Sequence, residues 1–224
     1  MIDNFIDFFM KSVIAALFAA FVIGGPAAAQ QASDKANLPE AGTLKVATFA
    51  GGCFWCVESD FDFVPGVVKT ISGYTGGIIQ NPSYEDVVRK NTGHYEAVRI
   101  YYDPKKTTYK KLLDVFWHSV DPTEDGGQFC DRGDSYRTAI FAHSDEQLKQ
   151  ANASKKALEE SGETKAKIVT PVLKAAQFWP AEKYHQDYYT KNPVRYKFYR
   201  FSCRRDARLK ELWGDNAHRG IEKH

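Results

Sequence analysis

Between residues 44 and 191, short apolar runs of strand length alternate with segments whose apolar residues recur at helical spacing. That alternation restricts the chain to folds in which helices cover a sheet around one core, an α/β (α+β) two-layer sandwich. Residues 44–50 carry few polar side chains and read as a central strand, broken by Gly51-Gly52. Phe54, Val57, Phe61 and Val64 then follow at helical spacing as far as Pro65-Gly66. A second strand, 67–74, ends at Gly76-Gly77 and Asn81-Pro82, and Ser83 caps a short helix running to residue 90. A third strand, 94–102, is closed by Asp103-Pro104. Tyr109, Leu112, Leu113, Phe116, Trp117 and Val120 mark an amphipathic helix, and a turn-rich loop, 121–135, leads to a fourth strand at 136–143. Ser144-Asp145 caps a polar helix to about residue 161, with a fifth strand at 167–175 and a last short helix at 182–191. The tail, 192–224, is basic and aromatic and is expected to be irregular, packed on the domain.

The 224 residues carry a formal charge of +2, with 43% apolar and 26% charged side chains, which excludes disordered, collagenous and coiled-coil classes and gives no sign of nucleic-acid binding. Residues 1–29 read as a secretory signal peptide: Met10-Lys11, an apolar run over 13–23, then Ala27-Ala28-Ala29, with cleavage expected after Ala29. The apolar run is too short to span a bilayer, so the expected product is exported, periplasmic and free of the membrane. Translation from Met1 or from Met10 remains open. Residues 30–42 form a flexible lead-in, 43–191 the catalytic domain and 192–224 the tail. Cleavage removes both methionines and keeps all four cysteines, which in an oxidising compartment suit chemistry better than scaffolding.

The densest chemical signal is Gly51-Gly52-Cys53-Phe54-Trp55-Cys56, at a strand-to-helix junction. First-turn N–H groups and the helix dipole favour a thiolate there, which makes Cys53 a candidate nucleophile. C-x-x-C alone also suits thioredoxin-like disulfide exchange, or half of a zinc site; zinc would need a second close pair, and Cys130 and Cys203 stand singly, so no metal is expected. Glu96 alternates in phase with Val98, Ile100 and Tyr102, on the more apolar face of its strand. Desolvated there it is a neutral acid; at a sheet edge it would instead be an ion-paired glutamate. The glycine-rich segment 126–137 has the composition of a binding loop. His185, on a short aromatic segment, reads as a hydrogen-bonded structural residue.

Taken together, Gly51-Gly52-Cys53-Phe54-Trp55, Gly73-Tyr74-Thr75-Gly76-Gly77, Pro82-Ser83-Tyr84, residues 92–98, Tyr136-Arg137-Thr138-Ala139-Ile140 and Lys183-Tyr184-His185-Gln186 resemble, in order, the peptide methionine sulfoxide reductase A family. The resemblance implies a ferredoxin-like core with a mixed sheet, and thiol-dependent reduction of methionine S-sulfoxide, free or in proteins, without metal or bound organic cofactor. It implies Cys53 as nucleophile, Glu96 as acid, Tyr84 and Tyr136 as hydroxyl donors to the sulfoxide oxygen, Asp131 as an orienting polar residue, and Phe54 and Trp55 as the wall that receives the substrate methyl group. A sulfenic acid on Cys53 must then meet a second thiol. Cys56 is the leading candidate, because residues three apart on a helix have Cβ atoms ~5–6 Å apart. Cys203, on the tail, and Cys130, beside Asp131, are the others. Partners implied are oxidised proteins or peptides and a thioredoxin-like electron donor, with the enzyme a monomer repairing exported proteins. Two rival readings are a thioredoxin-like disulfide exchange oxidoreductase using Cys53 and Cys56, and a binding module with structural cysteines.

Overall fold

The computed structural model describes residues 43–89 and 91–222. The expected signal peptide and lead-in lie outside the described residues. Strands β1 (Lys45–Gly51), β2 (Val67–Thr75) and β3 (Tyr95–Tyr102), helices α1 (Phe54–Asp62), α2 (Tyr84–Arg89) and α3 (Tyr109–Trp117) follow the apolar spacing closely. After α3 come a small hairpin, β4 (Gly127–Gln128) and β5 (Asp131–Arg132), then β6 (Thr138–Ala142), α4 (Asp145–Ser161), β7 (Val172–Lys174) and β8 (Phe178–Pro180). Among the described residues three α-helices follow, α5 (Tyr188–Lys191), α6 (Pro193–Ser202) and α7 (Arg205–Trp213), the last running into a short 3-10 turn, Gly214–Asn216.

The main sheet has the order β7-β6-β1-β3-β2-β8. β3 lies between β1 and β2 and is antiparallel to both, and β6 pairs antiparallel with β1, which makes the split β-α-β arrangement of a ferredoxin-like core. β6 and β7 are parallel, so the sheet is mixed. The apolar face of β3 meets α1 and α3: Phe49 packs on Phe61 and Phe116 with ring centroids 5.4 and 5.0 Å apart, among Val98, Ile100, Leu112 and Leu113. The opposite face carries a smaller cluster of Ala50, Ala97, Ala139, Phe141 and Phe178. Thr108 caps α3 by accepting from Lys111 N at 3.2 Å, and Ser144 caps α4 by accepting from Gln147 N at 3.2 Å.

Three expectations differ from the structure. The fifth strand shrinks to Val172–Lys174, because Val169 N–H is drawn to the Pro122 carbonyl instead of the sheet. The helix expected at 182–191 survives only as Tyr188–Lys191: Asp187 takes φ +52°, and Gln186 is committed to β2, its Oε1 accepting from Ser72 N and its Nε2 donating to Ser72 O. The tail is not irregular. Pro193 opens α6, where its missing N–H costs nothing, and α7 follows after a left-handed residue, Arg204. Their buried side is Tyr196, Arg200, Cys203, Arg205, Leu209 and Trp213, while Val194, Phe198 and Phe201 face outward. Among the described residues no helix is long and apolar enough to cross a membrane.

Candidate active site

Gly52 is what lets β1 hand over to α1. It adopts φ +82°, and a Cβ there would collide with the Cβ of the buried Gln128, so the turn sets Cys53 at the helix start against the β4–β5 hairpin. Cys53 is the N-cap of α1, and both it and Cys56 are free, buried thiols. The two interact through a side-chain hydrogen bond.

Glu96 projects from β3 towards the same turn. Its side chain is 1% exposed, and Oε2 accepts from Phe54 N at 3.0 Å. Burial pushes the carboxyl up to about 8, against the opposing pull of the Phe54 and Tyr136 donors. Of the two readings open for Glu96, its burial and the Phe54 N–H bond fit the desolvated carboxyl. Tyr136 faces both Tyr84 and Glu96, and burial raises both phenols.

The geometry of the helix start and burial work against the expected Cys53 thiolate. Phe54 N–H is spent on Glu96, and Cys56 and Val57 N–H close on the Cys53 carbonyl, so the helix end has little left to offer the sulfur. Burial pushes the Cys53 thiol up. Cys56 is held down to about 7, first by the hydrogen bond with Cys53 and then by Arg205 and Arg200.

The remaining expected residues also converge. Trp55 donates from Nε1 to His185 Nδ1 at 3.0 Å and stacks on Tyr188 with centroids 3.7 Å apart. Phe54 is 1% exposed, wedged between Tyr74 and His185, so it backs the site more than it lines it. Asp131, in β5, accepts from the Tyr199 hydroxyl at 2.5 Å. Cys130 and Cys203 are bonded to each other, so of the three expected resolving cysteines Cys56 alone is a free thiol beside Cys53. Cys130, Asp131 and Cys203 have donor atoms close enough for a metal, but both sulfurs are spent on the disulfide.

Besides His185, which is the hydrogen-bonded structural residue expected, the site holds contacts the sequence reading does not give. Glu182 fixes Tyr84 by accepting from its backbone N at 2.8 Å and from Tyr74 Oη at 2.9 Å. His185 is neutral, lowered to about 4 by burial, and steers Trp55. From the tail, Tyr199 lies edge-on to Trp55 at 5.7 Å and packs on the Cys53–Cys56 cluster with Tyr188 and Tyr196. Only the block 183–186 signalled any of these, and it signalled the segment, not the contacts.

A family model described as Peptide methionine sulfoxide reductase matches residues 45–217. The chain belongs to that family. It is 55% identical to the peptide methionine sulfoxide reductase MsrA of Bacillus licheniformis over 170 residues, 76% of this chain and 94% of that protein. It is 52% identical to MsrA 2 of Rhizobium meliloti over 175 residues, 78% of this chain and 86% of the relative. Among solved structures it is similar to methionine sulfoxide reductase A of Corynebacterium diphtheriae, with a TM-score of 0.62, 31% identity and coverage of 70% of this chain and 79% of that one. It is also similar to reduced Mxr1 of Saccharomyces cerevisiae, with a TM-score of 0.63, 32% identity and coverage of 70% and 90%. The protein is therefore an enzyme of thiol-dependent methionine sulfoxide reduction, built on the mixed α/β fold described above.

Proposed function

We propose that the enzyme acts on the S epimer of methionine sulfoxide, free or in proteins, with Cys53 as nucleophile and Glu96 as proton donor. The observation that carries this reading is the buried Glu96 carboxyl hydrogen-bonded to Phe54 N, next to Cys53 in the chain. A sulfoxide oxygen leaves only when it is protonated, and a carboxyl with its proton affinity raised to about 8 is neutral at pH 7 and able to supply that proton. Tyr84 and Tyr136 hold the oxygen through their hydroxyls. Trp55, backed by Phe54, takes the methyl group. Asp131, which accepts from the Tyr199 hydroxyl, orients substrate or solvent.

In the first step the oxygen passes from substrate sulfur to Cys53, so that a thiol and a sulfoxide become a sulfenic acid and methionine. Cys56 then condenses with the sulfenic acid, giving a Cys53–Cys56 disulfide and water. A thioredoxin-like dithiol outside the enzyme returns the disulfide to thiols. The signal peptide read at 1–29 supports export to the periplasm, where a monomeric enzyme would repair oxidised exported proteins.

The test is methyl sulfoxide reduction driven by dithiothreitol in wild type, Cys53→Ser and Glu96→Gln. Abolition in the first variant and a loss of about 10²–10⁴-fold in the second are expected. Disulfide exchange that survives in Glu96→Gln, with sulfoxide reduction absent from the wild type, would favour the disulfide exchanger instead.

A further inference from the structure

We propose that Glu58 is a positioning residue that sets the indole of Trp55 by holding the backbone of Asp187. The proposal rests on the reading of Trp55 as the wall for the substrate methyl group, and its test separates the two. Glu58 stands three residues after Trp55 on α1, so the two side chains are neighbours on one helix face. From that face both meet the same stretch of chain, 185–188. Trp55 touches the stretch at two places. Its Nε1 donates to His185 Nδ1 at 3.0 Å, and its ring lies flat on Tyr188, with centroids 3.7 Å apart and planes 5° apart. Between those two contacts Glu58 Oε2 accepts from Asp187 N at 2.9 Å. Glu58 is fully buried, so solvent does not compete for that hydrogen bond.

Asp187 is a residue that needs holding. It takes φ +52° and ψ +34°, a left-handed conformation that strains a residue with a side chain. Its own side chain makes no capping hydrogen bond to α5. That side chain reaches Lys191 at 3.3 Å, but the pair is exposed and screened by water. The Asp187 carbonyl accepts from Thr190 and Lys191 N, so the conformation of this one residue decides where α5 starts and where Tyr188 points.

The residue before it is anchored separately. Gln186 accepts from Ser72 N and donates to the Ser72 and Ala181 carbonyls, so the chain up to residue 186 keeps its place without Glu58. Loss of the Glu58 oxygen is felt beyond that point. It leaves the Asp187 N–H facing the interior without an acceptor, which is unfavourable enough to turn the peptide. Tyr188 turns with it, and the ring face that steadies Trp55 is withdrawn. Burial, followed by Asp62 and Asp187, pushes the Glu58 carboxyl up to about 8, so glutamine is a close stand-in for it at pH 7 and still offers an oxygen to Asp187 N.

The experiment compares methionine sulfoxide with ethionine sulfoxide, whose S-alkyl group is one methylene longer, in dithiothreitol-driven reduction by wild type, Glu58→Gln, Glu58→Leu and Glu58→Asp. Wild type is expected to prefer the methyl compound in kcat/KM by about tenfold or more. Glu58→Leu should cut that preference to about twofold and raise KM for methionine sulfoxide about tenfold with kcat almost unchanged, because the wall binds substrate and transition state alike. Glu58→Gln should match wild type. Glu58→Asp, which draws the carboxyl back by one methylene, should behave as the leucine variant does and replaces it where leucine prevents folding. Nuclear magnetic resonance adds a signature: the Trp55 ring protons, identified by their loss in Trp55→Ala, are shielded by the Tyr188 face, and that shielding should fall in Glu58→Leu and persist in Glu58→Gln. A merely structural Glu58 would lower stability and leave KM, preference and shielding in place. That result in a folded leucine or aspartate variant overturns the proposal, and so does a glutamine variant that loses the methyl preference. Should Trp55→Ala keep the wild-type preference, the reading of Trp55 as the methyl wall fails, and the shielding alone then decides the role of Glu58.

Discussion

Glu96→Gln probes the desolvated acid without reference to catalysis. The folded protein binds the Glu96 proton with an affinity near 8, against an ordinary value of 4.5. Between those two pH values the folded state carries one proton more than the unfolded chain, so the stabilisation this group gives is complete below 4.5 and is lost as pH rises towards 8. The slope is about 1.4 kcal/mol per pH unit, and across the window the total reaches about 5 kcal/mol. Glutamine keeps an oxygen for the Phe54 N–H and cannot ionise, so it removes this dependence. Glu58, which burial also raises to about 8, is present in both proteins and cancels in the comparison. Denaturant unfolding of wild type and variant from pH 5 to 9 should therefore give a stability difference that moves in the variant's favour with rising pH and levels off above 8. Parallel curves through that range would mean that the carboxyl is hydrated and charged at neutral pH, and the proton-donor role would go with it.

Cys203→Ser opens the bond to Cys130, which closes a sequence separation of 73 residues, and loop entropy sets the expected loss at about 4 kcal/mol. Dithiothreitol should lower the melting temperature of wild type and leave that of the variant unchanged. Gly73→Ala places a Cβ against the Trp179 carbonyl and the Phe178 ring, so a loss of about 1–3 kcal/mol is expected, with faster amide exchange confined at first to the β2–β8 edge.

The core was legible because its residues obey simple periods. The in-phase set Glu96, Val98, Ile100 and Tyr102 is buried, and the stripe from Tyr109 to Trp117 packs on β1 as its spacing requires. The tail was opaque because its pattern is inverted: α6 and α7 bury Arg200 and Arg205 and expose Val194, Phe198 and Phe201. A hydrophobic period cannot reveal a helix whose inner face is cationic and whose partner is a carboxylate on α1. β8 was hidden for a related reason, since Phe178-Trp179-Pro180 is too short to show alternation and gains its place from Gly73. At the site, motif positions located Cys53, Tyr84, Glu96, Asp131 and Tyr136 together. They carried no information on the protonation of Cys53, which depends on Glu96 taking the Phe54 N–H and on burial. The pairing of Cys130 with Cys203 depends on where α6 ends, and spacing alone does not specify that.

Peptide mapping by mass spectrometry of enzyme stopped after one turnover, with no reductant present, reads the reacting sulfurs directly. One equivalent of methionine and a new Cys53–Cys56 disulfide, with Cys130–Cys203 unchanged, is the expected result. Cys53 found bonded to Cys203 or Cys130, or methionine formed while Cys53 stays a thiol, would contradict it.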